Sequence, residues 1–494
     1  MTRASPLLPG LLVLAGCAVG PSTRVEAPAA RPARLEDSLT AGPAREFLDS
    51  LAVARAGEPR DSGASLWVPR PLALDSTDDR PWLAVLDDSV LVTLVESALA
   101  NNRDLALAVA RVREYRALLG AARGELFPQI GASASASKNQ SVFGTFTPQN
   151  FDVVRITADL AWELDFWGRL RRQAQAARFD LQGQEEDQRA AVVTLVSDVV
   201  SGYLEMRELD QNLAISEQTL ESRRATLALA RRRFAEGVIS ELDVRQFEAE
   251  AAAPAGRVAE FARQRAEKEH QLGVLLGRMP GPIPRGRPLA EAVRAVAVPD
   301  SIPGELLLRR PDIRRAEREL SAALSRVGVA LGNRLPRVAI TGSYGRQRQD
   351  FQDLFGTAAE VYGLQLGLTM PLFTGGRLLN EQRAARARAE QSRARYERTV
   401  LTAFQEAGDA LAGLRLTRDQ LVAQHTQVQA LERALTLAQR RYESGVSSYL
   451  EVLDAQRGLF SAQLALAQTE RLYLSSTVRL YKAVGGGWER DPRR

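Results

Sequence analysis

Two stretches of the chain repeat each other: "RRFAEGVISELDV" at 232–244 returns as "RRYESGVSSYLEV" at 440–452, an offset of 208 residues. The two Arg, the Gly with its following Val, one Ser, the Leu and the final Val are identical. The same offset relates further landmarks without a gap: Pro128 and Pro336, Gly168 and Gly376, Arg169 and Arg377. Agreement at separate landmarks indicates a tandem duplication. A long tandem repeat of this kind predicts an enclosing structure assembled from equivalent units.

The composition describes a folded protein without a recognisable reaction centre. Of 494 residues, 25% are charged and 45% are hydrophobic, which excludes bulk disorder. The net charge of +5 is small and scattered, so it does not indicate nucleic-acid binding. One Cys and two His exclude a disulfide framework or a structural zinc site within the chain. His270 and His425 stand alone, and no phosphate-binding loop, dinucleotide fingerprint or nucleophile elbow is present. We therefore expect no enzyme activity, cofactor or metal site.

The N-terminus has the pattern of a secreted lipoprotein. Residues 1–16 combine a positive start, a short apolar run and small residues, which predicts a signal peptide because the run is too short to span a bilayer. "LAGC" at 14–17 resembles the bacterial lipoprotein box, so Cys17 is the expected lipidation site, with an ordinary Cys in a signal peptide as the alternative. Residues 17–82 are rich in Pro, Ala, Arg and Gly and predict an extended leader. No other segment reaches about 20 apolar residues, so any membrane span must consist of strands.

Each copy of the repeat predicts membrane-facing strands. After a helix over about 88–126, hydrophobic residues alternate with polar ones, as expected for a strand with one oily and one polar face. The second copy keeps the same parity 208 residues later. The predicted membrane-facing residues are Ile156, Leu160, Trp162, Leu164, Leu364, Leu366, Leu368 and Met370.

A very long helix follows the strands in each copy, over about 168–235 and 376–443, and neither contains a proline. Apolar residues recur at heptad spacing in both, which predicts a coiled-coil seam. At a rise of about 1.5 Å per residue, each helix would reach on the order of 100 Å.

Both long helices are predicted to turn back in a hairpin. Gly237 and Gly445 predict the helix ends, and Ser240 and Ser448 are expected to cap the return helices. The expected organisation is 83–278 for the first repeat, 279–303 for a Pro/Gly-rich linker in an equatorial region, 304–484 for the second repeat and 485–494 for a C-terminal tail.

The strand count predicts an oligomer. Two strands per repeat give four per chain, and a four-stranded sheet keeps two exposed edges and cannot close alone. Three chains would supply twelve strands, an even number within the range of outer-membrane barrels. The predicted fold is mainly α with a small membrane β part, a trimeric 12-stranded β-barrel continued by a long α-helical barrel.

Four motifs resemble those of one family: "LAGCAVGP" at 14–21, "LLLRRPDIRRAERELSAA" at 306–323, "PLFTGGR" at 371–377 and "YLEVLDAQR" at 449–457. They are similar to motifs of the outer-membrane factors of tripartite efflux pumps, the TolC-like channels, in the lipoprotein branch that includes OprM and NodT. The resemblance covers essentially the whole chain. It implies a homotrimer with a short β-barrel in the outer membrane of a Gram-negative bacterium and a helical tunnel in the periplasm. It also implies docking to a periplasmic adaptor and an inner-membrane transporter.

The resemblance assigns a periplasmic gate to the hairpin tips. Leu450 and Asp454 match the Leu and Asp whose rings constrict such channels, and a spacing of four residues places them on one helix face. Spacing alone would equally suit a seam residue and a solvated charge. Their first-repeat counterparts are Leu242 and Gln246, so three chains would place three acids at the gate rather than six.

Neighbouring residues are candidates for supporting the tip. Arg440, Arg441 and Arg457 could bridge between hairpins or be ordinary surface cations, whose exposed pairs contribute about 0–1 kcal/mol. Gly237 and Gly445 are candidate adaptor contacts, although helix termination already explains a glycine at each position.

Three other functions remain open from the sequence. A type I protein-secretion duct shares the architecture, although the lipoprotein box and "RRPDIR" at 309–314 favour export of small molecules such as drugs. A heavy-metal exporter is disfavoured because only Met206, Met279 and Met370 follow the signal, too few for a methionine relay. A non-channel periplasmic coiled-coil scaffold would explain the heptads and the lipid anchor, but not the alternating strands.

Overall fold

The computed structural model describes residues 20–21, 34–36, 70–71, 88–142, 148–293, 296–297, 301–349, 353–354, 356 and 360–486. The predicted signal peptide, Cys17, most of the predicted leader and the end of the predicted tail lie outside the described residues.

The described elements are mainly helical. The helices are α1 (Ser89–Asn101), α2 (Arg103–Gly124), α3 (Arg169–Ala235), α4 (Glu241–Leu275), α5 (Leu289–Ala292), α6 (Gly304–Leu307), α7 (Pro311–Gly332), α8 (Arg377–Glu443) and α9 (Tyr449–Ala483). The strands are β1 (Arg34–Glu36), β2 (Arg70–Pro71), β3 (Gln129–Val142), β4 (Pro148–Leu164), β5 (Val296–Ala297), β6 (Ser301–Pro303), β7 (Arg337–Arg348) and β8 (Glu360–Thr369).

The duplication read from the sequence is present in the secondary structure. Helices α2, α3 and α4 recur as α7, α8 and α9, and each pair begins and ends 208 residues apart. Strands β3 and β7 also begin 208 residues apart, at Gln129 and Arg337. The long helices α3 and α8 contain 67 residues each and agree with the predicted spans to within one residue.

The single helix predicted over 88–126 is wrong, because the chain breaks at Asn102 between α1 and α2. Asn102 is extended, with φ −61° and ψ 133°. Its side-chain Oδ1 accepts the N–H of Leu105 at 2.9 Å and so caps α2, while its Nδ2 donates to the carbonyl of Leu275 at 2.9 Å. The second bond joins residues 173 apart in the chain, so the periodicity of the local sequence could not predict it.

The larger sheet has the strand order β3-β4-β7-β8, and all its pairs are antiparallel. Each repeat contributes one hairpin, and the β4–β7 pairing joins the two hairpins. Strands β3 and β8 lie at the edges of this sheet. Short strands of the leader also pair: β1 with β6, antiparallel, and β2 with β5, parallel.

The chain divides into two compact units. The sheet unit comprises 1–27, 110–185 and 315–398, and the hairpin unit comprises 28–109, 186–314 and 399–494. In the hairpin unit, residues of α1, α3, α4, α8 and α9 share one apolar core that includes Tyr203, Met206 and Tyr473. Within the described ranges, no helix combines the length and apolar character needed to cross a membrane.

Candidate functional site

The turns at the two hairpin tips depend on glycine. Gly237 and Gly445 have φ of +74° and +70°, in the left-handed region that favours glycine. The N–H of Val238 donates to the Arg233 carbonyl at 2.8 Å, and the N–H of Val446 makes the equivalent bond at 2.9 Å, the pattern that ends a helix at a left-handed residue. A Cβ at either glycine would meet no atom within 4 Å. The backbone conformation, rather than crowding, therefore requires glycine at both tips.

The two return helices begin differently. Ser240 and Asp243 form a reciprocal capping box at the start of α4, and the hydrogen bonds from Ser240 lower the pKa of Asp243. Ser448 is the N-cap residue of α9, as predicted, but its side chain makes no capping hydrogen bond. The residue matching Asp243 is Glu451, which lies 3.5 Å from Arg441 instead. Arg441 thus pairs within its own hairpin.

The predicted gate residues lie on exposed faces of the return helices. The side chain of Leu450 is 62% exposed, and Leu242 is 67% exposed. Asp454 and Gln246 are also exposed, one turn beyond their leucines. Leu450 is therefore not a seam residue within this chain. An apolar and an acidic side chain stand on one face of α9, whereas α4 presents an apolar and a neutral one.

Arg457 connects the two hairpins through a carboxylate that the sequence did not single out. Glu250 of α4 accepts hydrogen bonds from Arg457 of α9 and from Arg223 of α3. The side chain of Arg223 is only 5% exposed. Burial favours the neutral form of Glu250, but the bonds and charges of Arg457 and Arg223 outweigh it and lower the pKa of Glu250. Glu250 is therefore ionised at neutral pH.

Aromatic side chains extend this contact between the hairpins. The rings of Phe247 in α4 and Tyr449 in α9 are 4.7 Å apart between centroids, and Tyr442 of α8 packs on Tyr449 at 5.2 Å. The guanidinium of Arg233 in α3 donates to the Tyr442 hydroxyl at 2.6 Å. We call the set the inter-hairpin cluster: Arg223, Arg233, Phe247, Glu250, Tyr442, Tyr449 and Arg457. No ion pair joins Arg440 to another residue in the described ranges.

The sheet has one polar and one apolar face, as the alternation predicts. On the polar face, the Ser133 hydroxyl donates to Asp159 at 2.7 Å and lies 3.0 Å from the Thr157 hydroxyl. Directly opposed residues of antiparallel strands share a face, so the register gathers the apolar residues on the other side. The pairs are Ala134 with Ile156, Ile130 with Leu160, Trp162 with Ile340, Leu164 with Val338, Ile340 with Leu366, Val338 with Leu368 and Gly342 with Leu364.

The apolar face is largely open in the single chain. Leu364 is 79% exposed, and Leu366, Leu368 and Ile156 are exposed as well. Leu160, Trp162 and Leu164 are half-buried. Met370 was predicted to lie in a strand, but β8 ends one residue earlier, at Thr369. Pro371, which follows Met370, has no N–H with which to continue the ladder.

A family model decides the relationship. The outer membrane efflux protein family matches residues 94–278 and 302–486, two segments that themselves begin and end 208 residues apart. The chain belongs to this family. This outer membrane efflux protein is 36% identical over 405 residues to the solvent efflux pump outer membrane protein SrpC of Pseudomonas putida, covering 81% of this chain and 86% of SrpC.

Two further likenesses extend over most of the outer membrane efflux protein. It is 30% identical over 419 residues to the cation efflux system protein CusC of Escherichia coli, covering 84% of this chain and 90% of CusC. The solved structure of the outer-membrane channel OprN matches with a TM-score of 0.81 and 30% identity, over 96% of this chain and 100% of OprN. The protein is thus a TolC-like outer-membrane efflux channel in both sequence and fold.

A buried acid in the hairpin unit was not predicted. Glu470 of α9 is 1% exposed and accepts a hydrogen bond from the Gln211 amide of α3 at 3.1 Å. The Nε2 of His425 in α8 lies 3.7 Å from its other oxygen. Burial raises the pKa of Glu470 to about 6, above the ordinary 4.5. The matching first-repeat residue is Ala262, so the fold tolerates a position without the acid.

Glu470→Gln should stabilise the protein at neutral pH. Because the folded pKa of about 6 exceeds the unfolded value of 4.5, folding favours the protonated acid, and this contribution is lost as pH rises through 6. A shift of this size corresponds to about 2 kcal/mol. We expect a higher melting temperature than wild type at pH 7.5 and no difference at pH 4.5. The measurement is thermal unfolding by circular dichroism, with exposed Glu267→Gln as control, and an equal gain at both pH values would contradict the explanation.

Proposed function

We propose that three copies of this chain form the outer-membrane duct of a tripartite efflux pump that exports organic small molecules. The observation that carries this proposal is the four-stranded sheet, which has one polar face, one exposed apolar face and two edges, β3 and β8. Joining β8 of one copy to β3 of the next satisfies both edges, and twelve strands close a barrel with the apolar face toward lipid. The membrane-facing residues then include Ile156, Leu160, Trp162 and Leu164 in β4, and Leu364, Leu366 and Leu368 in β8.

The partners are a periplasmic adaptor and an inner-membrane transporter that supplies the energy. Support for docking at the hairpin tips comes from their surface: Val238 and Val446 are exposed beside Gly237 and Gly445, where the space above each glycine is open. The names of relatives support small organic cargo, because SrpC belongs to a solvent pump and TtgI of Pseudomonas putida to a toluene pump.

A transport assay tests the proposal. The chain is expressed with a matching adaptor and transporter in a Gram-negative host that lacks its own channel, and accumulation of a fluorescent drug is followed. We expect lower accumulation and greater toluene tolerance than in cells with the adaptor and transporter alone. Unchanged accumulation, together with release of a protein substrate when a type I exporter is supplied instead, would contradict small-molecule efflux.

We infer that Leu450 and Asp454 form the gate, as rings of three apolar and three acidic side chains around the axis. Their exposure on one face of α9 supports this role, because no residue in the described part of the chain covers that face of Leu450. The equivalent face of α4 carries Leu242 and Gln246, so the acidic ring comes from the second repeat alone.

Asp454→Ala should open the gate partly and alter its ion preference. Removing the three Asp454 carboxylates from a narrow ring lowers the attraction of the ring for cations and removes the contacts that these side chains make across it. We expect altered single-channel conductance, weaker cation preference, and leakage of large antibiotics into cells. Gln246→Ala, at the matching position of the first repeat, is the control and should leave selectivity unchanged. Identical traces for both variants and wild type would remove Asp454 from the gate.

The lipid anchor at Cys17 is also part of the proposal. A Cβ at Gly20 would lie 2.8 Å from the Cα of Gly328 in α7 and 3.6 Å from the Arg172 side chain in α3, so the chain passes close to these helices at Gly20. Gly328 lies nine residues before β7, and Arg172 lies in the first turn of α3, which follows β4. Gly20, three positions after Cys17 in the sequence, therefore lies near the helical end of the sheet, which supports an anchor on that side.

Cys17→Ala should abolish acylation without abolishing assembly. Cys17 is the only cysteine of the chain, so it is the only site for thiol acylation. We expect radioactive palmitate to label the wild type and not the variant, and the mature wild type to show the mass of a lipidated N-terminal cysteine. A mature protein that starts elsewhere and carries no lipid would contradict the anchor.

A further inference from the structure

A pair of opposite charges recurs at the loop end of both sheet hairpins. Lys138 of β3 is the register partner of Asp152 in β4, and Arg346 of β7 is the register partner of Glu360 in β8. Both the cations and the acids are 208 residues apart, so the duplication has kept the pair. Because the charge pair lies at the loop end of both hairpins, away from the helices, it belongs to the sheet as a whole rather than to one loop.

These charges lie on the apolar face. Arg346 is the register partner of Ile156, and Arg348 is the partner of Val154, so both arginines share the face that carries the exposed leucines. The next row toward the helices is Tyr344 opposite Tyr362, both exposed. Aromatic residues of this kind lie at membrane interfaces. The arginines therefore follow the aromatic row on the side away from the helices.

The position fits the outer interface of a bilayer. From Val338 to Arg346 is eight residues of β7, about 27 Å along the strand and about 20 Å along the normal of a tilted strand. This approaches the height of about 25 Å of the apolar band in such proteins. A cation on the lipid face is costly at the midplane and cheap at the interface. Two arginines on one face of β7 are thus placed where headgroups lie.

Of these charged residues, Arg346 and Arg348 are the best suited to bind an anion. Residues two apart on a strand project from the same face about 7 Å from each other, a spacing that suits one headgroup with more than one anionic group. Arginine binds phosphate through two parallel hydrogen bonds, which a lysine cannot provide. In the described ranges no ion pair joins Arg346 or Arg348 to another residue, so their donors are available.

We propose that Arg346 and Arg348 bind the phosphate groups of a phosphorylated glycolipid in the outer leaflet. The proposal rests on the proposed function, because helices in the periplasm place the loop end of the sheet outside. Lys138 adds a cation on the same face in β3, which β4 separates from β7. Glu360, the register partner of Arg346, would repel a bound anion. A trimer would carry three such sites around its circumference.

The test uses the full-length protein, delipidated and returned to phosphatidylcholine nanodiscs with or without a bis-phosphorylated lipid A. Bound lipid A per chain is counted by native mass spectrometry. We expect Arg346→Gln/Arg348→Gln to weaken binding about tenfold or more. Arg346→Lys/Arg348→Lys should weaken it less, and Glu360→Gln should tighten it. Arg337→Gln, on the same strand but the polar face, is the matched control and should bind as wild type.

Several outcomes would overturn the lipid site. Equal binding by the Gln pair and wild type would remove the arginines from it. Equal retention of dephosphorylated lipid A would show apolar adhesion alone, and full competition by millimolar inorganic phosphate would show a site for the free anion. Channel conductance is recorded for each variant in parallel. Loss of conductance in the wild type would count against the proposed function, whereas normal conductance with unchanged lipid binding would count against the lipid site alone.

Discussion

Glu250→Ala separates the hairpins and lowers the stability of the protein. The substitution leaves the buried guanidinium of Arg223 without a counter-charge and releases Arg457 of the other hairpin. Removing one partner of a buried pair costs about 3–5 kcal/mol, because the remaining charge stays desolvated. We expect a large fall in melting temperature and, in the assembled channel, higher conductance and entry of large antibiotics. The measurements are thermal unfolding and single-channel recording.

Two further variants separate this explanation from general damage to α4. Glu248→Ala, two residues before Glu250 in α4, removes exposed contacts with Arg231 and Arg245 and should change stability little. Arg223→Met combined with Glu250→Leu replaces the buried charges by apolar groups and should recover stability but not the Arg457 contact. Equal losses for Glu248→Ala and Glu250→Ala would contradict a special role for the inter-hairpin cluster.

Arg310→Ala should destabilise the start of the second repeat. Arg310 is buried and donates to the carbonyl of Ala483 at the end of α9, at 3.0 Å, and to the carboxylates of Asp312 and Glu406. Although burial acts in the opposite direction, these two carboxylates raise the pKa of Arg310, so it remains charged. Removing the guanidinium leaves the carbonyl of buried Ala483 without its donor and breaks the bonds to two half-exposed carboxylates, a loss of about 1–3 kcal/mol. We expect a lower melting temperature and a lower yield of folded protein.

The first repeat supplies the matched variant for this position. Asn102 precedes Arg310 by 208 residues and binds the carbonyl of Leu275, which precedes Ala483 by the same offset. Arg310→Asn should therefore keep the bond to the helix end and lose the pairings with Asp312 and Glu406, giving an intermediate stability. Exposed Arg309→Ala is the control. If Arg309→Ala and Arg310→Ala unfold at the same temperature, the buried arginine does not hold this junction.

The sequence predicts features that depend on local periodicity. The heptads of α3 and α8 continue for 67 residues without a proline, and Gly237 and Gly445 end the hairpin turns. The alternation in β4 and β8 predicts the two faces of the sheet, because side chains of a strand have a period of two. The duplication supports these predictions, since each element is read twice.

The features that the sequence did not predict depend on contacts between distant elements or on differences between the copies. Asn102 at the break binds the carbonyl of Leu275, and the lowered pKa of Glu250 depends on Arg223 and on Arg457, which is 207 residues away. The second-repeat positions equivalent to Asn102 and Glu250 are Arg310 and Gly458. Comparison of the two copies therefore does not reveal a second acid equivalent to Glu250. In the sequence, Glu470 resembles any acid on a helix surface. It is buried only because α9 packs against α3 and α8, and such packing is not visible in local periodicity.

Planar-bilayer recording of the purified wild-type protein tests the central claim most directly. If three chains close a twelve-stranded barrel continued by helices, the protein has the mass of a trimer and gives discrete, long-lived single-channel currents. These currents should be small in the wild type and should increase in Glu250→Ala. A protein that runs as a trimer but gives no currents, in the wild type and in Glu250→Ala alike, would be a coiled-coil scaffold and would contradict the channel.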